Sequence, residues 1–512
     1  MKPLVEVATI QAADAQAAAA AGTPVSALMD RAGAAVARAA TDLLGGAYGL
    51  RVVALAGRGN NGGDALEALA RLARRGAGAE ALVTSELERL GAEAARTAAL
   101  VRAACGRVRV FTPELAGTLL RDADVVVDGL LGTGSSGAPH GLAAQAIVAA
   151  NASSAPVVAV DIPSGVDGVT GEVAGEAIQA DVTVTFQALK PGHVLPPGSE
   201  RAGRIEVADI GLPLEPGPWG VSEARDLAGL VPIPRAETHK RSRGVLLAIG
   251  GSSGMGGAPT LMARAARGSG AGLLVLAVPA SIAERVGQAV PEALTAPLPE
   301  ADGGITPAAV EACKRWLDEA TAIAIGPGLG RSRATQEAVR GLLAAYHGRA
   351  VVDADGLFAL GTGEPLADRK APTLVTPHAG EFARLAPDAE GTRLHRAADR
   401  ARAWGVTVLL KGNDTVIAEP DGRLAVNPTG VPALASGGTG DVLTGLTGAL
   451  LAQGLEPFDA ARLGAWVHGR AGSLATGDLS PVSVAAGDVG DHLPAAFREL
   501  LADRPGSRGV RR

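Results

Sequence analysis

The stretch Ala435-Ser436-Gly437-Gly438-Thr439-Gly440-Asp441-Val442-Leu443-Thr444-Gly445 sets the character of the second half of the chain. Glycines crowd a turn, and the apolar run over 442–455 predicts a helix directly after it. The first N–H groups of a helix lack partners within it and carry the positive end of its dipole, so such a corner takes anions. Glycine also lets a phosphate approach the backbone closely. No Lys-Ser/Thr follows the last glycine, so this is not a Walker loop. It carries Asp441 instead. An ionised carboxylate is repelled by bound phosphate, which suggests a proton acceptor for a hydroxyl attacking phosphorus. Taken alone, the segment reads better as a glycine-rich turn with Asp capping a helix; its surroundings reverse that.

Upstream, short apolar strands alternate with glycine or polar loops. Residues 244–249 lead into Gly250–Ala258, and 322–325 into Gly326-Pro327-Gly328-Leu329-Gly330. Residues 350–352 lead into Asp353-Ala354-Asp355, and 374–376 into Pro377-His378. A run over 406–410 leads into Lys411-Gly412-Asn413-Asp414-Thr415. Before the Pro/Gly-dense stretch 211–220, the best linker candidate, a separate series runs through the first half. Residues 10–44 read as Ala-rich helices broken around Gly22-Thr23-Pro24. The apolar run 51–56 has the pattern of a buried parallel strand. It ends in Gly57-Arg58-Gly59-Asn60-Asn61-Gly62-Gly63-Asp64, with a helix to Arg75. Strands are expected at 79–84, 107–111, 124–128, 156–160, 182–186 and 204–209. The fourth of that half's strands after the first glycine loop leads into Asp161-Ile162-Pro163-Ser164-Gly165, and the one before it into Gly129–Ala138. Strand, glycine turn, helix is the phosphate corner of a βαβ unit. Three strand ends thus offer Asn61/Asp64, Asp128 and Asp161/Ser164 to one crevice. Residues 507–512, rich in Arg and Gly, read as a loose tail.

The chain has 512 residues, enough for two or three domains. With 47% hydrophobic and 20% charged residues it is globular, and with 2% aromatics its cores must be Ala, Val and Leu. A net charge of −6 and so few aromatics argue against nucleic acid and anionic membrane as partners. Cys105 and Cys313, far apart, fit a reducing compartment, so a cytoplasmic protein is expected. Lysine is scarce, which draws attention to Lys190, Lys240 and Lys411.

These motifs together resemble a known family. The first half resembles the NAD(P)H-hydrate epimerase domain through Asn60-Asn61-Gly62-Gly63-Asp64, through Asp128 with its Gly-Thr-Gly loop, and through Asp161-Ile-Pro-Ser-Gly. The second resembles the ADP-dependent NAD(P)H-hydrate dehydratase. Its marks are Gly251–Ala258, Gly326–Gly330, Thr376–Glu381, Lys411–Thr415 and Gly437–Asp441. Ala65 stands where the epimerase pattern has Gly, and Phe358 where the dehydratase has Asn after Asp-Ala-Asp. The resemblance implies an α/β protein of two three-layer α/β/α domains, Rossmann-like over 1–215 and ribokinase-like over 221–505. It implies cofactor repair. The first domain interconverts the R and S hydrates of NADH and NADPH. The second dehydrates the S form at the expense of ADP, giving AMP and phosphate. By the same resemblance Asp161 is the epimerase base. The hydrate lies on Asn60, Asn61, Gly62, Gly63, Asp64 and Asp161, and on Gly132-Thr133-Gly134-Ser135-Ser136-Gly137-Ala138. Asn61, Asp128 and Ser164 hold K⁺. In the second domain Ala258, Gly328, His378 and the base Asp441 take the hydrate. Lys411, Gly412, Asn413, Asp414, Thr415 and Gly440 take the adenine nucleotide, with Mg²⁺. Partners are then NADH-hydrate, NADPH-hydrate and ADP, with no nucleic acid or membrane, and a homo-oligomer is expected. The alternative is a ribokinase-like sugar or vitamin kinase carrying an accessory nucleotide-binding domain.

Overall fold

The computed structural model describes residues 1–19, 25–215, 217–502 and 504. The expected helix break at Gly22-Thr23-Pro24 and the tail over 507–512 lie outside them. Compact units meet at Gly217/Pro218, inside the Pro/Gly-rich stretch. That stretch is not all linker: Trp219–Val221 is a strand, parallel to Leu424–Val426. The Pro and Gly upstream hid its aromatic and β-branched ends, which suit a pleated surface.

In the first unit a parallel sheet runs in the spatial order Arg107–Val110, Gly78–Val83, Arg51–Ala56, Val125–Gly129, Val157–Val160, Val182–Phe186, Arg204–Ala208. The chain starts in the middle, builds outward to one edge, then returns to build the other. The reversal point lies between Arg51–Ala56 and Val125–Gly129, where Leu55 pairs with Asp128 and Ala56 with Gly129. Their two glycine loops therefore leave the sheet side by side and open a crevice between them. Helices Val25–Leu44 and Asn60–Arg74 cover one face, and the core is almost wholly Ala, Val and Leu.

The second unit repeats the device. Its sheet runs Trp219–Val221, Leu424–Val426, Val416–Ala418, Thr407–Leu410, Thr373–Val375, Arg349–Val352, Ala322–Ile325, Val245–Ile249, Leu273–Pro279, Leu294–Leu298. It is parallel except where Val416–Ala418 pairs antiparallel with both neighbours. Here the reversal lies between Val245–Ile249 and Ala322–Ile325, whose last residues Ile249 and Ile325 pair. Among the described residues no helix is long and apolar enough to cross a membrane.

The expected helix at 442–455 runs over Thr439–Ala452, so Gly440 and Asp441 sit in its first turn rather than in the loop before it. Gly438, at φ 93°, closes the turn in a conformation that a side chain resists. The helix is buried almost throughout. It lies so close to Gly257–Gly268 that a Cβ on Gly445 would stand 1.9 Å from the Met262 carbonyl oxygen.

Gly445→Ala therefore sets two effects against each other. Alanine gains about 1 kcal/mol of helix propensity, but overpacking costs about 1–3 kcal/mol, and a backbone oxygen cannot rotate away. We expect the unfolding transition of this unit to move to lower urea. Gly477→Ala, in a helix with nothing within 4 Å of the new methyl, should move it to equal or higher urea.

Candidate active sites at the strand ends

The crevice of the first unit is a cavity of about 1160 Å³. Asn60, Asn61, Gly62, Asp64, the loop Gly132–Ala138 and Asp161 all line it. Gly63 does not. It packs inward, where a Cβ would meet the Met29 side chain at 2.6 Å. Asn61 lies in the first turn of the helix after the glycine loop, and Asp64 follows just beyond that turn. Asp64 is buried, and burial together with the Asp161, Asp14 and Glu67 carboxylates pushes its carboxyl well above the usual range.

Asp161 stands at φ 64° just past the end of Val157–Val160. Its Oδ1 accepts from Lys190 Nζ at 2.6 Å and from Thr185 Oγ1 at 3.0 Å. Burial alone would raise its carboxyl, but the Lys190 ammonium and its hydrogen bond outweigh burial and hold the group below the ordinary carboxylate value. Asp161 is thus biased toward its ionised form, while Asp64, on the same cavity, is biased toward its protonated form.

Asp128 and Ser164 lie behind the cavity wall, fully buried. Ser164 donates through Oγ to Asp128 Oδ1 at 2.6 Å and through its N–H to Oδ2 at 2.9 Å. Asn61 Nδ2 donates to the Leu131 carbonyl at 2.8 Å, and the Leu131 N–H donates to Ser164 Oγ at 2.9 Å. Asn61 and Ser164 therefore both bond to Leu131, and Asp128 joins them through Ser164. Burial raises Asp128 to about 6, against the hydrogen bonds from Ser164 and Leu130. One buried carboxylate among hydroxyl, carbonyl and carboxamide oxygens is a donor set suited to a hard cation.

In the second unit the two loops at the reversal point bring Ala258 and Gly328 face to face: a Cβ on Gly328 would lie 3.0 Å from the Ala258 Cβ. Lys411, at the end of Thr407–Leu410, donates to Asp353 Oδ1 at 2.7 Å and lies 3.8 Å from Glu381 Oε2. Thr444, one turn into the long helix, donates to Asp353 Oδ2 at 2.7 Å. Gly440 faces the same ammonium, its Cβ position 3.4 Å from Lys411 Nζ. Asp441 follows, with its carboxyl raised to about 6 by burial and the nearby Asp353 charge, against the pull of Lys411. His378 caps the helix Ala379–Leu385, its Nδ1 accepting from the N–H groups of Gly380 and Glu381, and its side chain stays 60% exposed. The nucleotide loop is partly self-contained. Thr415 Oγ1 donates to the Gly412 carbonyl at 2.7 Å, Asp414 is buried 3.6 Å from Arg393, and Gly430 packs on the Asn413 carbonyl. Phe358 lies between the guanidinium groups of Arg331 and Arg384, 4.8 and 4.7 Å from its ring.

Sequence reading missed Asp353 as a site residue, although it follows a strand in the manner of Asp128 and Asp161. It missed Asp14, Thr185 and His193 around Asp161. Scarcity of lysine was the one available signal: Lys190 bonds Asp161 and Lys411 bonds Asp353, whereas Lys240 is exposed.

A family model described as YjeF-related protein N-terminus matches residues 25–192, and one described as NAD(P)H-hydrate dehydratase matches 246–495. The bifunctional NAD(P)H-hydrate repair enzyme Nnr of Moorella thermoacetica is 40% identical over 465 residues, covering 88% of each chain. That of Salinibacter ruber is 38% identical over 531 residues, covering 98% of this chain and 97% of its own. That of Mycobacterium tuberculosis is 40% identical over 467 residues, covering 90% and 91%. A solved ADP/ATP-dependent NAD(P)H-hydrate dehydratase from Bacillus subtilis, co-crystallised with ATP and Mg²⁺, is 32% identical over 55% of this chain and 98% of its own, with a TM-score of 0.47. Near-full-length identity of this order, with both half-chain models matched in sequence, shows that the chain belongs to the bifunctional NAD(P)H-hydrate repair enzymes.

Proposed function

We propose that each unit carries one half of the repair, and that the two carboxylates Asp161 and Asp441 perform the proton transfers. The observation that supports this is their opposite preparation: a buried ammonium draws the Asp161 carboxyl down, while Asp441 makes no salt bridge among the described residues and is raised to about 6 by burial and the Asp353 charge. In the first unit, Asp161 takes the proton of the C6 hydroxyl as the C6–N1 bond breaks with its electron pair going to N1, which takes a proton from Asp64; the aldehyde so formed at C6 can turn, and the reverse steps close the ring with either configuration. In the second, Asp441 takes the proton of the C6 hydroxyl as that oxygen attacks the β-phosphorus of ADP, and AMP leaves. Phosphate is a far better leaving group than hydroxide. It departs from C6 with its bonding electron pair, a proton leaves C5, and the reduced nicotinamide ring is restored. Lys411 and the first-turn N–H groups at Gly440 hold the transferring phosphoryl group.

Mg²⁺ is held by one or two carboxylates together with substrate phosphates; Asp353, Glu381 and Asp441 around Lys411 supply such oxygens, and the ion would neutralise phosphate charge. Asn61, Asp128 and Ser164 would hold K⁺, neutralising the buried Asp128. With both cysteines free, we place the protein in the cytoplasm, as a homo-oligomer of chains whose units fold autonomously.

Asp441→Asn keeps shape but removes the base, so dehydration of the S hydrate should fall roughly 10²–10⁴-fold; near-wild-type turnover would sink the role. In the native chain, Asp441 works only when ionised. Dehydration should therefore decline as pH falls through about 6, and a rate flat down to pH 5 would contradict this assignment.

Asp161→Asn gives a second test, followed by absorbance recovery from mixed hydrates and ADP. The native chain should consume all the hydrate in one course. The mutant should consume the S fraction at the normal rate, then slow to spontaneous epimerisation. A time course without that break removes Asp161 from the reaction.

For the cation, KCl should raise the melting temperature of the native chain above that in choline chloride, and Asp128→Asn should abolish the difference. A proton on Asp128 competes with the cation, so the KCl effect should shrink below about pH 6.

A further inference from the structure

Lys190 is only 1% exposed, and a buried ammonium is stable only when paired and fully hydrogen-bonded. It is. An ammonium has three hydrogens to donate, and Nζ places them on Asp161 Oδ1 at 2.6 Å, Thr185 Oγ1 at 2.7 Å and the Phe186 carbonyl at 3.0 Å. None is left for a ligand, although Lys190 borders the cavity. Thr185 accepts from Lys190 and so turns its own hydrogen to Asp161 Oδ1.

A second strap holds the backbone. The Lys190 N–H donates to His193 Nδ1 at 2.9 Å, so that nitrogen accepts and the hydrogen of the neutral ring is on Nε2, which lies 2.8 Å from the Asp161 carbonyl. Burial and the Lys190 charge hold His193 down to about 4, which keeps it neutral. Asp161 therefore keeps its left-handed backbone, a strained conformation for a residue with a side chain, because it is gripped at both carbonyl and carboxylate. Only Oδ2 takes no donor among the described residues, and Asp161, 14% exposed, lines the cavity.

We propose that Lys190 is the positioning residue of the epimerase: with Thr185 it occupies Oδ1 of Asp161, while His193 holds the Asp161 carbonyl, and so it presents Oδ2 to the C6 hydroxyl of the bound hydrate. This rests on the reading of Asp161 as the base. Lys190 does not touch the substrate. Against burial, its charge also draws the Asp161 carboxyl below its usual range. The titratable groups around Asp161 are Lys190 and His193 on its own side, with Asp64 and Asp14 from the two helices packed there. Burial, and then the Asp161 charge, raises both of those aspartates.

The test uses the full chain, with dehydration of pure S hydrate as an internal measure of enzyme concentration and the unfolding transition of the first unit as the check on its fold. In Lys190→Met, epimerisation of the R hydrate should lose about 10²-fold in kcat, with KM little changed. The acid limb of its pH profile should rise by about one unit or more, because an opposite charge at this distance lowers a carboxyl by about 1–3 units. Thr185→Val should lose kcat in the same sense by a smaller factor, and Thr185→Ser should retain it. A wild-type rate and acid limb in Lys190→Met, with Asp161→Asn inactive, overturns the positioning role and leaves the base intact. Activity in Asp161→Asn overturns the base reading instead. If Lys190→Met does not fold, the two Thr185 variants decide: equal rates for Val and Ser reject the proposal.

Discussion

A parallel sheet ends all its strands on one edge, and wherever the chain reverses its direction of building, two neighbouring loops must part. Both units are built around one such parting. The register Leu55–Asp128 and Ala56–Gly129 in the first, and Ile249–Ile325 in the second, brings the two loops out at the same height. What those loops carry follows from the geometry. The backbones must pass close to each other and to a ligand, so the loops are glycine-rich. Helix N-termini stand behind them, so they favour anions. A carboxylate at the end of an apolar strand is then forced into a place where water is scarce.

That scarcity governs the electrostatics of both sites. A buried carboxylate either finds a cation, gathers hydrogen bonds, or takes up a proton. All three outcomes occur here. Asp161 has Lys190. Asp128 has Ser164 and the Leu130 N–H, and still rises to about 6. Asp64, buried and crowded by other carboxylates, is raised well above the usual range. Asp353 shares Lys411 and Thr444 and leaves its neighbour Asp441 without a cation. Protonation state at each site is thus a consequence of how few ammonium groups are buried there.

The sheet order was not legible in the sequence, but most strands were, because buried parallel strands are continuous apolar runs bounded by glycine. The strands that escaped are of another kind. Leu294–Leu298 contains Pro297, and Val416–Ala418 and Leu424–Val426 are three residues each. The motif residues were legible because glycine and carboxylate recur at strand ends. Their supports were not. Thr185 reads as one more β-branched strand residue, His193 as a loop histidine, and Asp14 as a polar interruption in an alanine-rich helix. Each acquires a role only when a fold brings it against Asp161, and no local pattern encodes that meeting.

The lysines beside the two sites, one buried and one half-buried, show why a shared motif logic gives different chemistry. Lys190, 1% exposed, has spent all three hydrogens on protein oxygens. Lys411, 20% exposed, makes one short hydrogen bond, to Asp353, and stands beside Gly440 at the open end of a helix. A saturated ammonium fixes and ionises its partner but offers nothing to a ligand. An unsaturated one at a helix N-terminus can turn its remaining hydrogens to a phosphate. The first arrangement suits a reaction that moves only protons, where a base of fixed charge and fixed aim is needed. The second suits phosphoryl transfer, where the cation must reach the transferring group and the base must stay near the working pH. Asp441 meets that last condition because Lys411 is bonded to Asp353 and not to it.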